Sequence, residues 1–281
     1  MGRLAVPVIG FLAGFAFVVA LLAAALFTSH APPEPTAASV YHLEPKEVHF
    51  SFDNPITGRY DREQLQRGFQ VYKEVCSACH SMKLVAFRDL EEIGFTKPEV
   101  KAIAKQWAVE VPAINPDTGE PTTRKAIPSD HFPSPFANDI AARAANNNAL
   151  PPDMSLLAKA REGGPHYIYS IVTGFQPQPA ELLKRFPDAK TPTGLYYNPY
   201  FANLNIGMPP PLVSDGQVTY SDGTPATVDQ MAKDVSAFLM WAAEPKLENR
   251  HRTGDAIVIY LIIATALAYG AYRNIWRGKK H

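Results

Sequence analysis

Two cysteines and a histidine lie close together in the chain, as Cys76-Ser77-Ala78-Cys79-His80. Residues three and four apart share one face of a helix, so both thiols can reach one edge of a porphyrin. The His80 imidazole can then turn onto a metal at the centre of the ring. This is the spacing of covalent haem attachment. The sequence therefore predicts one covalently bound haem c, held by Cys76 and Cys79, with His80 as an axial ligand of the iron.

Two other interpretations of a close cysteine pair fit the sequence less well. A thioredoxin-like redox pair belongs in a βαβ setting, and strand patterns are weak throughout this chain. A zinc site built on this pair needs a second pair of ligands, but the chain has only two cysteines. Haem attachment is therefore the favoured interpretation.

The other face of a haem held by histidine is commonly completed by methionine. Met82 is too close in sequence to His80 to reach that face. Met208 lies in the segment 206–211, where glycine allows close approach of the backbone and prolines stiffen the loop. Three further methionines are set aside, as the chain start or as parts of a predicted helix: Met1, Met231 and Met240. The residues alone favour Met208 and leave open Met154, His131 and His166.

An apolar segment precedes this region. Residues from Leu4 to Phe27 carry no charge, and at 1.5 Å per residue they are long enough to span a bilayer core of about 30 Å. With Arg3 before it, residues 1–30 fit either a signal peptide or a retained N-terminal anchor. A small-residue cleavage site at Ser29-His30-Ala31 is followed by proline, which leaves cleavage open.

A second apolar segment lies near the other end of the chain. Residues 256–272 are uncharged and are flanked by interfacial aromatics, so we predict a transmembrane anchor over 254–276. The tail that follows, 277–281, is basic. Cytoplasmic flanks carry an excess of Lys and Arg, so this tail is predicted to be cytoplasmic and the middle of the chain to be exported.

The exported part is predicted to consist of a Pro-rich lead-in, 31–60, and a haem domain, 61–248. Asp61 with Gln64 begins a helix over about 62–77, which carries the cysteines at its end. Thr227 with Gln230 begins an amphipathic helix that ends near Glu244-Pro245. Weaker patterns predict helices at 97–108, 137–145, 154–161 and 166–173, and loops over 111–138 and 175–225. The predicted fold class is mainly α, a c-type cytochrome domain with long Pro-rich loop insertions.

The overall charge bears on whether the chain could bind nucleic acid. The chain has 27 basic and 27 acidic residues, so its formal net charge is zero. Nothing in this balance suggests binding to nucleic acid.

The chain resembles the cytochrome c1 family, the haem subunits of quinol–cytochrome c oxidoreductase (bc1) complexes. The resemblance covers most of residues 45–277 and follows the family's order. Its motifs, in addition to the attachment sequence, are Arg67 to Tyr72, Phe87 to Leu90, Ala141 to Asn147, Ala149 to Asp153, Tyr197 to Phe201, Gly207-Met208, Asp222 to Thr227 and Trp241 to Pro245.

The resemblance implies that Met208 is the sixth iron ligand and that Arg143 lies near a haem propionate. Taken alone, Arg143 would be interpreted as a solvated helix residue. The resemblance also implies a role in electron transfer, from a Rieske iron–sulfur protein to a cytochrome c, beside a cytochrome b subunit in a dimeric complex. No catalytic residue is expected in this chain, because quinol oxidation belongs to the neighbour.

The predicted location is the bacterial inner membrane, with the haem domain in the periplasm. The alternative function is that of a haem c subunit of a terminal oxidase or another membrane-bound c-type carrier. A haem-based gas sensor is a second alternative, of a different class, and would require an open or displaceable sixth ligand site.

Overall fold

The computed structural model describes residues 5–27 and 34–279. Predictions that involve Arg3, the Ser29-His30-Ala31 site and the last two residues of the basic tail lie outside the described residues. The chain divides into two units, Met1–Thr36 and Ala37–His281.

The described residues are mainly helical, which confirms the predicted fold class. The helices are α1 (Ala5–Phe27), α2 (Ala37–Tyr41), α3 (Arg62–Val71), α4 (Lys97–Gln106), α5 (Asp139–Ala145), α6 (Leu157–Ala160), α7 (Gly164–Thr173), α8 (Ala180–Arg185), α9 (Val228–Ala243) and α10 (Leu247–Trp276). A π-helical turn, Tyr72–Cys76, continues α3, and 3₁₀ turns span Phe87–Ile93 and Pro187–Ala189.

Two small antiparallel hairpins lie in regions that the sequence predicted as loops. Strand β1 (Val111–Ile114) pairs with β2 (Pro121–Arg124), and β3 (Tyr196–Tyr197) pairs with β4 (Asn205–Ile206). The loop predictions for 111–138 and 175–225 are therefore wrong in part. The prolines in the first hairpin favoured the prediction of a loop. Proline is nevertheless tolerated on edge strands, and both strands of a two-stranded sheet are edges.

The four weaker helix predictions are confirmed, with different bounds. The largest change is at 154–161, where only Leu157–Ala160 is helical. Met154 and Ser155 lie outside this helix, because they form hydrogen bonds with the segment that follows the cysteines. Tertiary contacts thus override the local helical pattern.

Helices α1 and α10 are long and apolar enough to cross a membrane, by length and composition. The described side chains of α1, from Val8 to Leu26, are almost all exposed. Helix α10 begins at Leu247, seven residues before the predicted span 254–276, and Leu247 is buried in the core of the domain. The anchor is therefore continuous with the domain's last residues.

The core of the domain is built where α3 crosses α9. Gly68 of α3 lies directly against α9, so that a Cβ added there would overlap the Asp234 carbonyl oxygen and lie 2.7 Å from the Phe238 Cβ. Asp61 caps α3 by accepting from two backbone N–H groups, and the Thr227 hydroxyl caps α9 in the same way. The sequence patterns at both helix starts are thereby confirmed.

A buried ion pair accompanies this crossing. Asp234 is fully buried, and its carboxylate accepts from Arg67 Nε at 3.0 Å and from Gln230 Nε2 at 2.8 Å. Arg67, 14% exposed, also donates from Nη1 to Asp222 at 2.8 Å. Burial alone would lower the pKa of Arg67, but its hydrogen bonds to the Asp234 and Asp222 carboxylates outweigh burial and the net shift is upward.

The start of α3 is also tied to the start of α10. The Tyr60 N–H donates to Glu248 Oε1 at 2.9 Å, and its hydroxyl donates to the Glu244 carbonyl at 3.0 Å. Arg62 forms an ion pair with the same Glu248 at 3.0 Å. The membrane helix therefore leaves the domain beside the helix that leads to the cysteines.

We expect Gly68→Ala to lower the free energy of unfolding by about 1–3 kcal/mol, because overfilling a packed contact forces the backbones apart. Chemical denaturation of the detergent-solubilised chain measures this. Gly254→Ala is the control, since a Cβ there would meet nothing within 4 Å. Equal stability of the two variants would show that the crossing tolerates a methyl group.

We expect Arg67→Ala to lower the free energy of unfolding by about 3–5 kcal/mol, because it leaves the buried Asp234 carboxylate without its cation. The matched control is Arg62→Ala, which breaks a partly exposed pair and should cost about 1 kcal/mol or less. The same denaturation experiment compares them. Equal losses would mean that the Asp234 carboxylate is satisfied without Arg67.

Candidate haem site

The cysteine pair lies where α3 ends. The helix widens into the π-helical turn Tyr72–Cys76, and the chain then folds back on itself. The backbone N–H groups of Cys79 and His80 both donate to the Cys76 carbonyl, at 3.1 and 2.9 Å. The three residues of the motif thus lie in one tight turn at the end of a rigid helix, as the predicted helix over 62–77 requires.

Both cysteines are free thiols. Cys79 is exposed, and Cys76 is half-buried against the apolar core. Burial, with a smaller effect of the neighbouring Cys79, raises the pKa of the Cys76 thiol to about 12. Reactive pairs of the thioredoxin type have a lowered thiol pKa, so this environment argues against that interpretation.

The His80 side chain is fixed with one ring nitrogen left for a ligand. The residue is 8% exposed, and its Nδ1 lies 2.9 Å from the Pro152 carbonyl oxygen. A carbonyl only accepts, so Nδ1 carries the proton and Nε2 keeps its lone pair. Burial lowers the pKa of His80, which favours the neutral ring. This is the arrangement of a metal-ligating histidine with its supporting hydrogen bond.

Two neighbours hold the backbone around His80, and the sequence analysis predicted neither role. The buried Tyr72 hydroxyl donates to the His80 carbonyl at 3.2 Å. Asp153 accepts hydrogen bonds from the segment that follows His80, at Ser81 and Lys83. The sequence contained Asp153 only as part of a family motif, since a pairing over about 70 residues has no local signal.

Met208 lies in the loop after β4, and its side chain is half-buried. A Cβ added at the preceding Gly207 would lie 2.9 Å from the Ala149 Cβ, so this loop packs closely on Ala149. Ala149 is three residues before Pro152, a span of at most about 11 Å. One short segment, 149–152, therefore contacts the Met208 loop at one end and the His80 ring at the other.

The other described methionines belong to the hydrophobic core. Met82, Met154 and Met231 are buried in it and Met240 packs against it, whereas Met208 is not part of this cluster. Met1 lies outside the described residues. Met208 is therefore the one described methionine outside this core.

The two histidines that the sequence left open differ from each other: only His131 keeps a lone pair on Nε2, but its ring is exposed, unlike that of His80. His131 is exposed, and its Nδ1 lies 2.5 Å from the Lys83 carbonyl oxygen. His166 Nδ1 accepts from the Val48 N–H at 3.3 Å, so the other nitrogen of the neutral ring carries the proton and faces Asp53 at 3.9 Å. Nitrogen Nε2 of His166 therefore has no lone pair to offer.

Arg143 is exposed on α5, and its Nη1 donates to the Asn148 carbonyl at 3.0 Å. Asn148 and Asn147 before it adopt left-handed backbone conformations, with φ of 64° and 50°. Asparagine tolerates this conformation better than most residues. The contact brings the guanidinium close to Ala149, and so to the segment that joins the Met208 loop to His80.

The donor set fits a haem better than a metal ion bound by protein alone. Within the described ranges, no group of three or more His, Cys, Asp or Glu residues could hold a metal ion. One imidazole and one thioether are too few for such a site, but a porphyrin supplies four nitrogens and needs only two axial ligands. The free thiols of Cys76 and Cys79 complete the fit.

Comparison with known proteins gives one consistent result. A sequence profile described as the Cytochrome C1 family matches residues 50–279. The chain is 49% identical over 235 residues to a cytochrome c1 of Rhodospirillum rubrum, covering 80% of this chain and 85% of that protein. It is 39% identical over 291 residues to a cytochrome c1 of Blastochloris viridis, covering 96% of each. It is 45% identical over 242 residues to a protein of Bradyrhizobium diazoefficiens named cytochrome b/c1, covering 81% of this chain and 35% of that protein.

We expect Gly207→Ala to push the Met208 loop away from Ala149 and, if Met208 binds the iron as the sequence favours, to weaken that bond. Because methionine ligation raises the reduction potential, the midpoint potential should fall. Potentiometric titration of membranes measures it. The double variant Gly207→Ala, Ala149→Gly removes the clash and should restore the potential. A single variant with the wild-type potential would show that this contact does not position Met208.

Proposed function

This chain belongs to the cytochrome c1 family, and we propose that it is the electron-transfer subunit of a respiratory quinol–cytochrome c reductase. It carries electrons from a Rieske iron–sulfur protein to a cytochrome c. The observation that supports this most directly is the buried His80 ring, whose Nδ1 donates a hydrogen bond to a carbonyl and whose Nε2 is left for a metal.

Cys76 and Cys79 would hold one haem c covalently, and His80 and Met208 would bind its iron. When bound, this group supplies reversible one-electron transfer. Attachment at the end of α3 fixes the porphyrin to the rigid part of the domain. Arg143 is assigned to a haem propionate, because a guanidinium suits a carboxylate and its Asn148 contact lies beside the Met208 loop.

The protein's own task is to set the potential of the iron. The Pro152 carbonyl accepts from His80 Nδ1, which fixes the ring orientation and raises the basicity of Nε2. Met208 supplies the weaker ligand, which favours the reduced state. Burial of His80 limits access of water to one side of the site. No residue of this chain makes or breaks a substrate bond.

The partners follow from the family and from one relative. A protein named cytochrome b/c1 matches 81% of this chain, which supports a cytochrome b subunit as the neighbour of this chain. Quinol oxidation belongs to that neighbour, so the enzyme is the complex and this chain has no catalytic residue. The complex is expected to be dimeric.

The location follows from the two apolar helices. Helix α10 anchors the chain in the inner membrane of a bacterium, with the basic residues in its last turn and just after it, Arg273, Arg277 and Lys279, on the cytoplasmic side. The haem domain, 61–248, then lies in the periplasm. Residues 1–30 serve as a signal peptide or as a second anchor, and residues 277–281 as a cytoplasmic tail.

We expect purified wild-type chain to keep its pigment after denaturation in acid acetone, and to show the α band of a c-type haem in a reduced-minus-oxidised spectrum. Met208→Leu should keep the pigment but show a markedly lower potential, because leucine has no sulfur to favour the reduced state. Met154→Leu is the matched control, since that sulfur is buried in the core.

Co-purification tests the assignment to a complex. Recovery with a Rieske protein and a cytochrome b supports the proposed function. Recovery with a terminal oxidase would assign the chain to the alternative instead. Loss of pigment in acid acetone would exclude covalent attachment, and an unchanged potential in Met208→Leu would remove Met208 from the iron.

A further inference from the structure

We propose that Asp153 is a positioning residue for His80: its carboxylate holds the Pro152 carbonyl in place against the imidazole and thereby tunes the axial ligand. This inference rests on the proposed ligation of haem iron by His80. Asp153 itself does not touch the metal, and it acts through the peptide group next to it.

The Asp153 carboxylate ties together two segments that are distant in sequence. Its Oδ2 accepts from Ser81 Oγ at 2.7 Å and from the Lys83 N–H at 2.9 Å. Its Oδ1 accepts from the Ser155 N–H at 2.9 Å. Both oxygens are therefore engaged, one with the segment that follows His80 and the other with its own segment.

Further hydrogen bonds, from backbone and side chains next to Asp153, join the same two segments. The Met154 N–H donates to the Ser81 carbonyl at 2.8 Å, and the Leu84 N–H donates to Ser155 Oγ at 3.0 Å. Ser155 is fully buried and Ser81 is nearly so. The segments 80–84 and 152–155 are thus joined along their length, with the bond from His80 to Pro152 as the last contact at one end.

The position of that last contact depends on the carboxylate. Pro152 is exposed and has no N–H group with which to anchor itself, so the orientation of its carbonyl follows from the residue that comes next. That residue is Asp153, held by three hydrogen bonds. Loss of these bonds lets the carbonyl turn away from His80 Nδ1, which is 2.9 Å from it.

The charge of Asp153 and its hold on the Pro152 carbonyl are both expected to lower the reduction potential of the iron. Burial alone would raise its pKa, but hydrogen bonds from Ser155, Lys83 and Ser81 outweigh burial and the net shift is downward. An anion near His80 and a strong hydrogen bond at Nδ1 both favour the oxidised, more positive iron. Removing either should therefore raise the reduction potential.

Two variants separate charge from geometry, both made in the full chain within its membrane complex. Asp153→Asn keeps the shape, removes the charge and puts an amide N–H where one acceptor stood. Asp153→Glu keeps the charge but cannot meet all three donors in the same place. Asp188→Asn is the matched control, because it removes an exposed carboxylate elsewhere on the domain.

Two measurements report on the bound iron without relying on turnover. Potentiometric titration gives the midpoint potential, and the low-spin EPR signal of the oxidised protein responds to the orientation and hydrogen bonding of the axial imidazole. We expect Asp153→Asn to shift the ratio of reduced to oxidised protein about tenfold toward the reduced form, which is about 59 mV for one electron. Asp153→Glu should shift it in the same direction by less, and both should alter the EPR signal, whereas Asp188→Asn should not.

Three results would overturn the proposal. The first is lower stability of Asp153→Asn with unchanged potential and EPR signal, which would make Asp153 purely structural. The second is a wild-type potential and EPR signal in Asp153→Glu, which would reduce its role to charge. The third is an equal shift in Asp188→Asn.

If Asp153→Asn does not accumulate with haem, Asp153→Glu decides by the same criteria. A wild-type chain without pigment in acid acetone would instead refute the proposed function, so the two failures are distinguishable.

Discussion

The close crossing of α3 and α9 at Gly68 is the contact on which the rest of the haem domain depends. With no side chain at this position, the backbone of α3 lies against the Asp234 carbonyl, and the same approach brings Arg67 to the buried carboxylate. One helix opens the domain and the other closes it. Because the crossing fixes both, the long segments between them can include hairpins and turns without loosening the frame.

Helix α3 connects this frame to both functions of the chain. Its last turn leads to Cys76, and its first residues are tied to Glu248 at the start of α10. Ten residues of helix span about 15 Å. The cysteine pair and the start of α10 are therefore held at opposite ends of one short rigid element.

The crossing fixes the cysteines, but the imidazole depends on a second, polar contact. The segment 152–155 orients His80 through a carbonyl, and Ala149, three residues before Pro152, packs on the Met208 loop at Gly207. Apolar packing is tolerant of small shifts, whereas hydrogen bonds specify distance and angle. Tyr72 accordingly belongs to the apolar core, whereas His80 Nδ1 is held by a backbone carbonyl.

Local patterns in the chain predict the cysteine–histidine motif, the two apolar segments and the starts of α3 and α9, because each of these involves only residues that are neighbours along the chain. The sequence left the sixth ligand among Met208, Met154, His131 and His166, and it missed the hairpins and Asp153. Only the tertiary structure placed Met154 in the core, gave His166 Nδ1 a backbone donor and joined 152–155 to His80. Those contacts join residues about 70 or more positions apart, and local patterns carry no information about which distant segments meet.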